Sequence, residues 1–159
     1  MLASLKISGL LIALVFAAIT FGLWAWMNRP ADEPSWPERG LQGVAFSPFR
    51  TGQAPADGTF PTEKEIDSDL ALLSSASISA VRTYSSLNSL AEIPELATKY
   101  QIKVTLGSWL NQNQAVNERE LEGAVRLAQE HSNVIRLIIG NETLWREDAE
   151  IGELIAYLD

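Results

Sequence analysis

Cysteine is absent from the 159-residue sequence, which excludes disulfides and thiolate metal sites. Histidine occurs once, at His131, beside Ser132 and Asn133 at the end of a polar, helix-like stretch. A helix C-terminus favours a partly positive imidazole, so we expect His131 to be a solvated cap. The sequence therefore predicts neither a histidine metal centre nor a Ser-His-Asp triad, and we expect no metal and no cofactor.

Positive charge is also scarce, since 12 Lys and Arg residues face 20 Asp and Glu residues for a formal net charge of −8. The sequence has no basic cluster that could hold phosphates, so nucleic acid is not an expected partner. No Gly-rich turn follows the first predicted strand, which argues against a dinucleotide-binding fold.

A long uncharged run occupies residues 7–27. At roughly 1.5 Å per residue, a helix of this length spans the ~30 Å hydrocarbon core of a bilayer. Lys6 precedes the run, and Trp24 and Trp26 lie at its far end, where interfacial aromatic residues are common. A cleaved signal peptide is the alternative, but it has a shorter apolar core and a small-residue cleavage site.

We therefore predict that residues 1–27 are a single-pass anchor, with the N-terminus inside and the folded part periplasmic or extracellular. Residues 28–40 contain three prolines among acidic and small residues, which predicts an extended linker. The folded body is predicted to occupy residues 41–159.

The body alternates between strand and helix patterns four times. Thr62 and Glu65 form a capping-box pattern before the first helix. The second helix is predicted to start at Ser89 or at Pro94, and the third is predicted to be capped by Asn117. The predicted buried face of the third helix is Leu121, Ala124, Val125 and Ala128. The predicted strands are 43–46, 79–84, 103–107 and 134–139, and a fourth helix follows from Ile151.

Four strand–helix units are typical of a parallel α/β sheet. They could form a small open sheet or the first half of an eight-unit TIM barrel, which needs ~250 residues. Polar or aromatic residues end every strand, and this favours the half barrel. Because the run at 134–139 is almost continuously apolar, we expect that strand to be covered on both faces.

Chemistry-bearing residues follow the predicted strands, and the C-terminal ends of barrel strands are where active sites lie. Arg82 lies inside a strand and needs a partner, which we expect to be a carboxylate. Glu142 could be an acid/base, or it could simply favour a helix N-terminus electrostatically. Together the candidates offer a carboxylate, an amide, a guanidinium and flat aromatic faces, which suit a sugar. The candidates are Phe46, Arg82, Tyr84, Trp109, Asn141 and Glu142.

The ordered motifs at the strand ends resemble glycoside hydrolase family 17, including its β-1,3-glucanases, glucanosyltransferases and bacterial membrane-anchored β-(1,6)-glucan synthase-like proteins. The motifs are GVAFSPF at 43–49, VRTY at 81–84, LGSW at 106–109 and IGNE at 139–142. The resemblance implies a TIM barrel and a retaining reaction, with Glu142 as acid/base and Asn141 binding a sugar hydroxyl. It also implies that the nucleophile is a second glutamate, late in the barrel.

Residues Glu147, Glu150 and Glu153 lie beyond the motif and do not match that nucleophile. Retaining chemistry needs two carboxyl groups ~5 Å apart. We therefore expect a β-glucan hydrolase or transglycosylase, acting on β-1,3 or β-1,6 linkages, that is truncated before its nucleophile and inactive alone. An exposed, unpaired strand edge and an exposed part of the barrel interior would make it prone to aggregation. The alternatives are a non-catalytic glucan-binding or glucan-synthesis accessory module on the membrane, and an unrelated α/β domain.

Overall fold

The computed structural model describes residues 2–30 and 40–158, with side chains from residue 9 onward. The chain divides into two compact units, Met1–Trp36 and Pro37–Asp159. The first unit contains α1 (Leu2–Met27), whose segment Gly9–Met27 has a mean hydropathy of 2.2. This segment is long and apolar enough to cross a membrane, properties that a signal sequence near the N-terminus shares. Most of the predicted linker, residues 31–39, lies outside the described residues.

The second unit is an α/β fold around a parallel sheet, as predicted. Its strands pair in chain order, β1-β2-β3-β4, and every pair is parallel. The strands are β1 (Gly43–Ala45), β2 (Ala80–Arg82), β3 (Lys103–Ser108) and β4 (Val134–Ile139). The helices are α2 (Glu63–Ser75), α3 (Ile93–Thr98), α4 (Gln114–Glu130) and α5 (Ile151–Ala156). Two 3₁₀ turns, Pro55–Asp57 and Asn88–Glu92, precede α2 and α3.

The core lies between one face of the sheet and helices α2, α3 and α4. Val81, Val104 and Leu106 point from the strands into this core. They meet apolar side chains of the helices, which are almost wholly excluded from water. Each helix therefore buries one apolar face against the same side of the sheet, and this burial is the main source of stability in the fold. The helix residues in the core are Ile66, Leu70, Ile93, Leu96, Ala97, Ala124 and Leu127.

The opposite face of the sheet is open. The pairing register places Ala45, Arg82, Thr105 and Arg136 in one row across the four strands. Side chains alternate along a strand, so this row faces away from Val81, Val104 and Leu106. Ala45 and Arg136 are exposed. The prediction that β4 is covered on both faces is therefore wrong for the described residues, because no helix packs on this side.

The capping box predicted for the first helix of the folded body, α2, is confirmed. Thr62 caps α2, its hydroxyl accepts a hydrogen bond from the Glu65 N–H, and the Glu65 side chain accepts one from the Thr62 N–H. The Thr62 N–H and the Gln53 side-chain amide both donate to the Glu65 carboxylate, and these bonds, Thr62 first, lower the pKa of Glu65. Pro94 lies in the first turn of α3, where its missing N–H costs nothing, and a 3₁₀ turn occupies the segment from Asn88.

Two predictions for α4 are wrong. Its cap is Asn113, whose side chain accepts hydrogen bonds from the N–H groups of Ala115 and Val116, whereas Asn117 lies inside the helix. The buried face is also rotated, because it contains Glu120 and Leu127 while Val125 is 48% exposed.

The buried carboxylate of Glu120 explains the rotation. It accepts hydrogen bonds from the Ser85 hydroxyl at 2.5 Å, the Ser86 N–H at 2.8 Å and the Ser86 hydroxyl at 2.9 Å. A carboxylate can be buried when it is bonded in this way. Glu120 therefore fixes the segment that follows β2 to α4.

Replacing Glu120 with Gln should lower the free energy of unfolding by about 2 kcal/mol, because the amide loses the charge-assisted bonds to Ser85 and Ser86. Urea unfolding of the chain in detergent, followed by circular dichroism, measures the change. The matched control is Glu122→Gln on the exposed side of α4, which should change little. Equal effects of the two substitutions would contradict this role for Glu120.

Gly107 of β3 allows a close approach to the end of β2. A Cβ atom there would lie 2.5 Å from the Thr83 carbonyl oxygen and 2.9 Å from the Tyr84 Cα. Gly107→Ala should therefore lower the free energy of unfolding by about 1–3 kcal/mol, because backbone atoms must move. Gly152→Ala on α5 is the control, since no atom lies within 4 Å of the added carbon. An unchanged urea midpoint for Gly107→Ala would refute the argument.

Candidate active site

The predicted site residues that follow β2, β3 and β4 lie at one edge of the sheet. Because the three strands are parallel neighbours, their C-terminal ends point to the same side. Arg82 ends β2 and Tyr84 follows it, Trp109 comes directly after β3, and Asn141 comes just after β4. The sheet therefore brings together residues that are separated by many positions in the sequence.

Arg82 connects the ends of β2 and β4. Its Nη2 atom donates a hydrogen bond to the Asn141 side-chain oxygen at 2.7 Å, and its guanidinium carbon lies 3.9 Å from the centre of the Tyr84 ring. The prediction that Arg82 pairs with a carboxylate is therefore wrong, because its partners are an amide oxygen and an aromatic face.

A second arginine, which the sequence did not single out, holds the main chain of the same asparagine. Arg146 donates hydrogen bonds to the carbonyl oxygen of Asn141 and, at 3.1 Å, to the carbonyl oxygen of Leu110. Its guanidinium carbon lies 4.2 Å from the centre of the Trp109 ring, and its Nε donates to Asp148 at 2.6 Å. The Arg146-Glu147-Asp148 spacing was the only signal available in the sequence, and such charge pairs are usually surface features.

Glu142 follows Asn141 in an unusual backbone conformation. Its φ angle is 54°, in the left-handed region, and the φ of Gly140 is 77°. A left-handed non-glycine residue costs about 1–3 kcal/mol and often occurs at functional sites. The Glu142 side chain is exposed, and its carboxylate makes no hydrogen bond or ion pair with the described residues 40–158. Glu142 is therefore free to interact with a ligand.

Phe46 does not belong to this cluster. It is 8% exposed and forms part of the hydrophobic core. With Phe49 and Tyr84 it lines a cavity of 20 Å³, which could hold about one water molecule and no sugar ring. The predicted substrate contact of Phe46 finds no support in this placement. Trp109, by contrast, is 36% exposed, although Arg146 lies over its ring.

The cluster consists of Arg82, Tyr84, Trp109, Asn141 and Arg146, and the Glu142 carboxylate makes none of the contacts that join them. Asn141 uses its side-chain oxygen to accept from Arg82, which leaves its NH₂ group to donate to a ligand. Among the residues that the structure describes, no group of three His, Cys, Asp or Glu side chains could hold a metal ion. The arrangement can donate a proton and bind hydroxyl groups, and a double displacement needs a second carboxylate.

Comparison with protein families gives one match. The family model described as the BtgE/BtgC glycoside hydrolase domain matches residues 43–159, from the first residue of β1 through all four strand–helix units. No curated protein and no solved structure matches the chain. The match covers most of the chain, so a glycosidase activity and a carbohydrate substrate are supported, and the chain belongs to the BtgE/BtgC glycoside hydrolase domain family.

Proposed function

We propose that the complete gene product is a membrane-anchored, retaining β-glucan hydrolase or transglycosylase in which Glu142 is the acid/base. The observation that carries the proposal is the free carboxylate of Glu142 beside an asparagine that two arginines hold. In this role Glu142 protonates the leaving glycosidic oxygen and then activates the incoming water or sugar hydroxyl. Hydrolysis and transfer differ only in which acceptor enters.

Asn141 would bind the sugar beside the reacting carbon. Its side-chain oxygen faces Arg82, so its NH₂ group has a fixed direction and can donate to a hydroxyl. Trp109 and Tyr84 would contact the apolar faces of sugar rings, although each ring also contacts an arginine. These assignments follow the resemblance to glycoside hydrolase family 17, of which β-1,3 and β-1,6 glucan are the implied substrates.

We further propose that residues 43–159 form the first four units of an eight-unit barrel. Parallel sheets are normally covered on both faces, yet this sheet is open on the side of Arg82, Thr105 and Arg136. Helix α5 also leaves Ile151 and Ile155 more than half exposed. Four further units would cover the open face and supply the nucleophilic glutamate.

A non-catalytic glucan-binding or glucan-synthesis accessory module is the second candidate. It is favoured by the aromatic rings of Tyr84 and Trp109, which lie at the same end of the sheet as Asn141. This candidate binds glucan through the same residues and does not require Glu142 to transfer a proton. The two functions therefore differ in what a Glu142 substitution does.

Replacing Glu142 with Gln in the complete gene product should lower turnover of β-1,3-glucan oligosaccharides by about 10²–10⁴-fold, because the amide cannot transfer the proton. Binding of the same oligosaccharides, measured by calorimetry, should be retained. Glu147→Gln, at an exposed residue of the same turn, is the control and should leave turnover unchanged.

Unchanged turnover in Glu142→Gln would remove this residue from the mechanism. Binding without turnover in the unmodified protein would favour the accessory module instead. Products longer than the starting oligosaccharide, resolved by mass spectrometry, would identify transfer rather than hydrolysis.

Residues 7–27 should anchor the protein and remain in the mature chain. We expect the protein to stay with membranes after extraction at high salt and alkaline pH, because about 20 apolar residues span the bilayer core. Mass spectrometry of the N-terminal peptides should detect this segment. A mature N-terminus beyond Met27 would show a cleaved signal peptide.

A further inference from the structure

We propose that Arg146 is a positioning residue that fixes Glu142 relative to Trp109 by joining the segments after β3 and β4. The inference rests on the proposed function only where it concerns catalysis. The joining itself follows from the four contacts of one guanidinium group, with Asn141, Leu110, Asp148 and the Trp109 ring.

The contact with Asn141 acts on the backbone of Glu142. The Asn141 carbonyl and the Glu142 N–H belong to the same planar peptide unit. The φ angle of Glu142, 54°, is the rotation that follows this plane. By binding the carbonyl oxygen, Arg146 holds the plane and stabilises a left-handed conformation that a glutamate rarely adopts alone. The direction of the Glu142 side chain depends on that conformation.

The contacts with Leu110 and Trp109 attach Arg146 to the segment that follows β3. Leu110 is fully buried, so its carbonyl oxygen, which lies 3.1 Å from Arg146 Nη2, belongs to the packed part of the fold. The Trp109 ring lies against the same guanidinium. Arg146 therefore sets the separation between the free carboxylate and the aromatic face that would flank a sugar.

Asp148 orients the guanidinium. The two side chains are only 21% and 17% exposed, and their 2.6 Å contact is short and charge-assisted. The Asp148 N–H also donates to the Thr143 carbonyl at 3.0 Å, which closes the turn that contains Arg146. Only arginine offers several donors in one rigid plane, so lysine could reach Asp148 and one carbonyl but not the whole set.

Another bond joins the same two segments. Gln112 donates through Nε2 to the Glu147 carbonyl at 3.3 Å, but this bond is exposed and long. We expect it to contribute little, and Gln112→Ala tests that expectation. Arg126→Met is the matched control for loss of an arginine, because Arg126 pairs with Glu130 on the surface of α4.

Hydrogen exchange of the chain in detergent tests the joining without any assay of activity. The reporter amides are Asn111, bonded to the Asn117 side chain at 2.8 Å, and Asp148, bonded to the Thr143 carbonyl at 3.0 Å, because neither residue is substituted. Arg146→Met should speed exchange about tenfold in both segments. In the unmodified chain, local opening of either segment must break the contacts of Arg146, and the substitution removes that cost. Arg126→Met and Gln112→Ala should leave both rates nearly unchanged.

Turnover in the complete gene product tests the effect on Glu142. Arg146→Met should lower kcat about 100-fold with KM unchanged, because a misplaced acid slows proton transfer more than it weakens binding. Arg146→Lys should recover part of kcat. A general loss of structure would lower the amount of folded enzyme, which circular dichroism monitors, so kcat is calculated per folded enzyme.

If exchange is unchanged, or is faster in only one segment, then Arg146 does not join the segments after β3 and β4, whatever the kinetics show. Faster exchange in both segments with unchanged kcat, in an enzyme that Glu142→Gln inactivates, would overturn the positioning role. If Glu142→Gln leaves turnover unchanged, the proposed function fails, and the exchange result still decides whether Arg146 joins the two segments.

Discussion

Parallel pairing of strands in chain order is the constraint on which the rest of the site depends. Each strand must be followed by a helix that returns the chain to the opposite edge, so every strand ends at the same edge as its neighbours. Arg82, Trp109 and Asn141 are far apart in sequence, and this geometry makes them neighbours. The helices that form the returns also supply the apolar faces that bury one side of the sheet.

Polar contacts then organise the edge that the topology has assembled. Two arginines each lie over an aromatic ring and each bind Asn141, one through its side chain and the other through its main chain. A guanidinium over an aromatic ring contributes about 0.5–2 kcal/mol, depending on desolvation. These contacts fix the orientation of the Tyr84 and Trp109 rings.

Local patterns in the sequence predicted the strands and the capping box of α2 because those features depend on neighbouring residues. The run at 134–139 became β4 with the predicted bounds, and Thr62 and Glu65 made the predicted reciprocal bonds. The N-cap of α4 was harder to predict, because Asn113 and Asn117 are both good capping residues and only the path of the loop decides between them.

Features that depend on distant partners could not be predicted in the same way. The burial of Glu120 was not predicted, because it depends on hydroxyl and amide donors after β2. Arg146 was not singled out either, because its contact with the Leu110 carbonyl depends on how the segments after β3 and β4 fold together. The sequence predicted that part of a half barrel's interior would be exposed, and also that β4 would be covered on both faces. The second prediction is wrong because an apolar strand has the same pattern whether one or both of its faces are packed.

The open side of the sheet also carries a definite electrostatic sign. Arg82 and Arg136 lie in one row, and Lys103 lies one level below on the same side of β3. Whatever covers these cations must bring acidic side chains or retain water around them, since desolvating an unpaired charge is expensive. A second copy of this face would bring arginine against arginine, so electrostatics disfavours self-association through the open side and favours a cover that carries carboxylates.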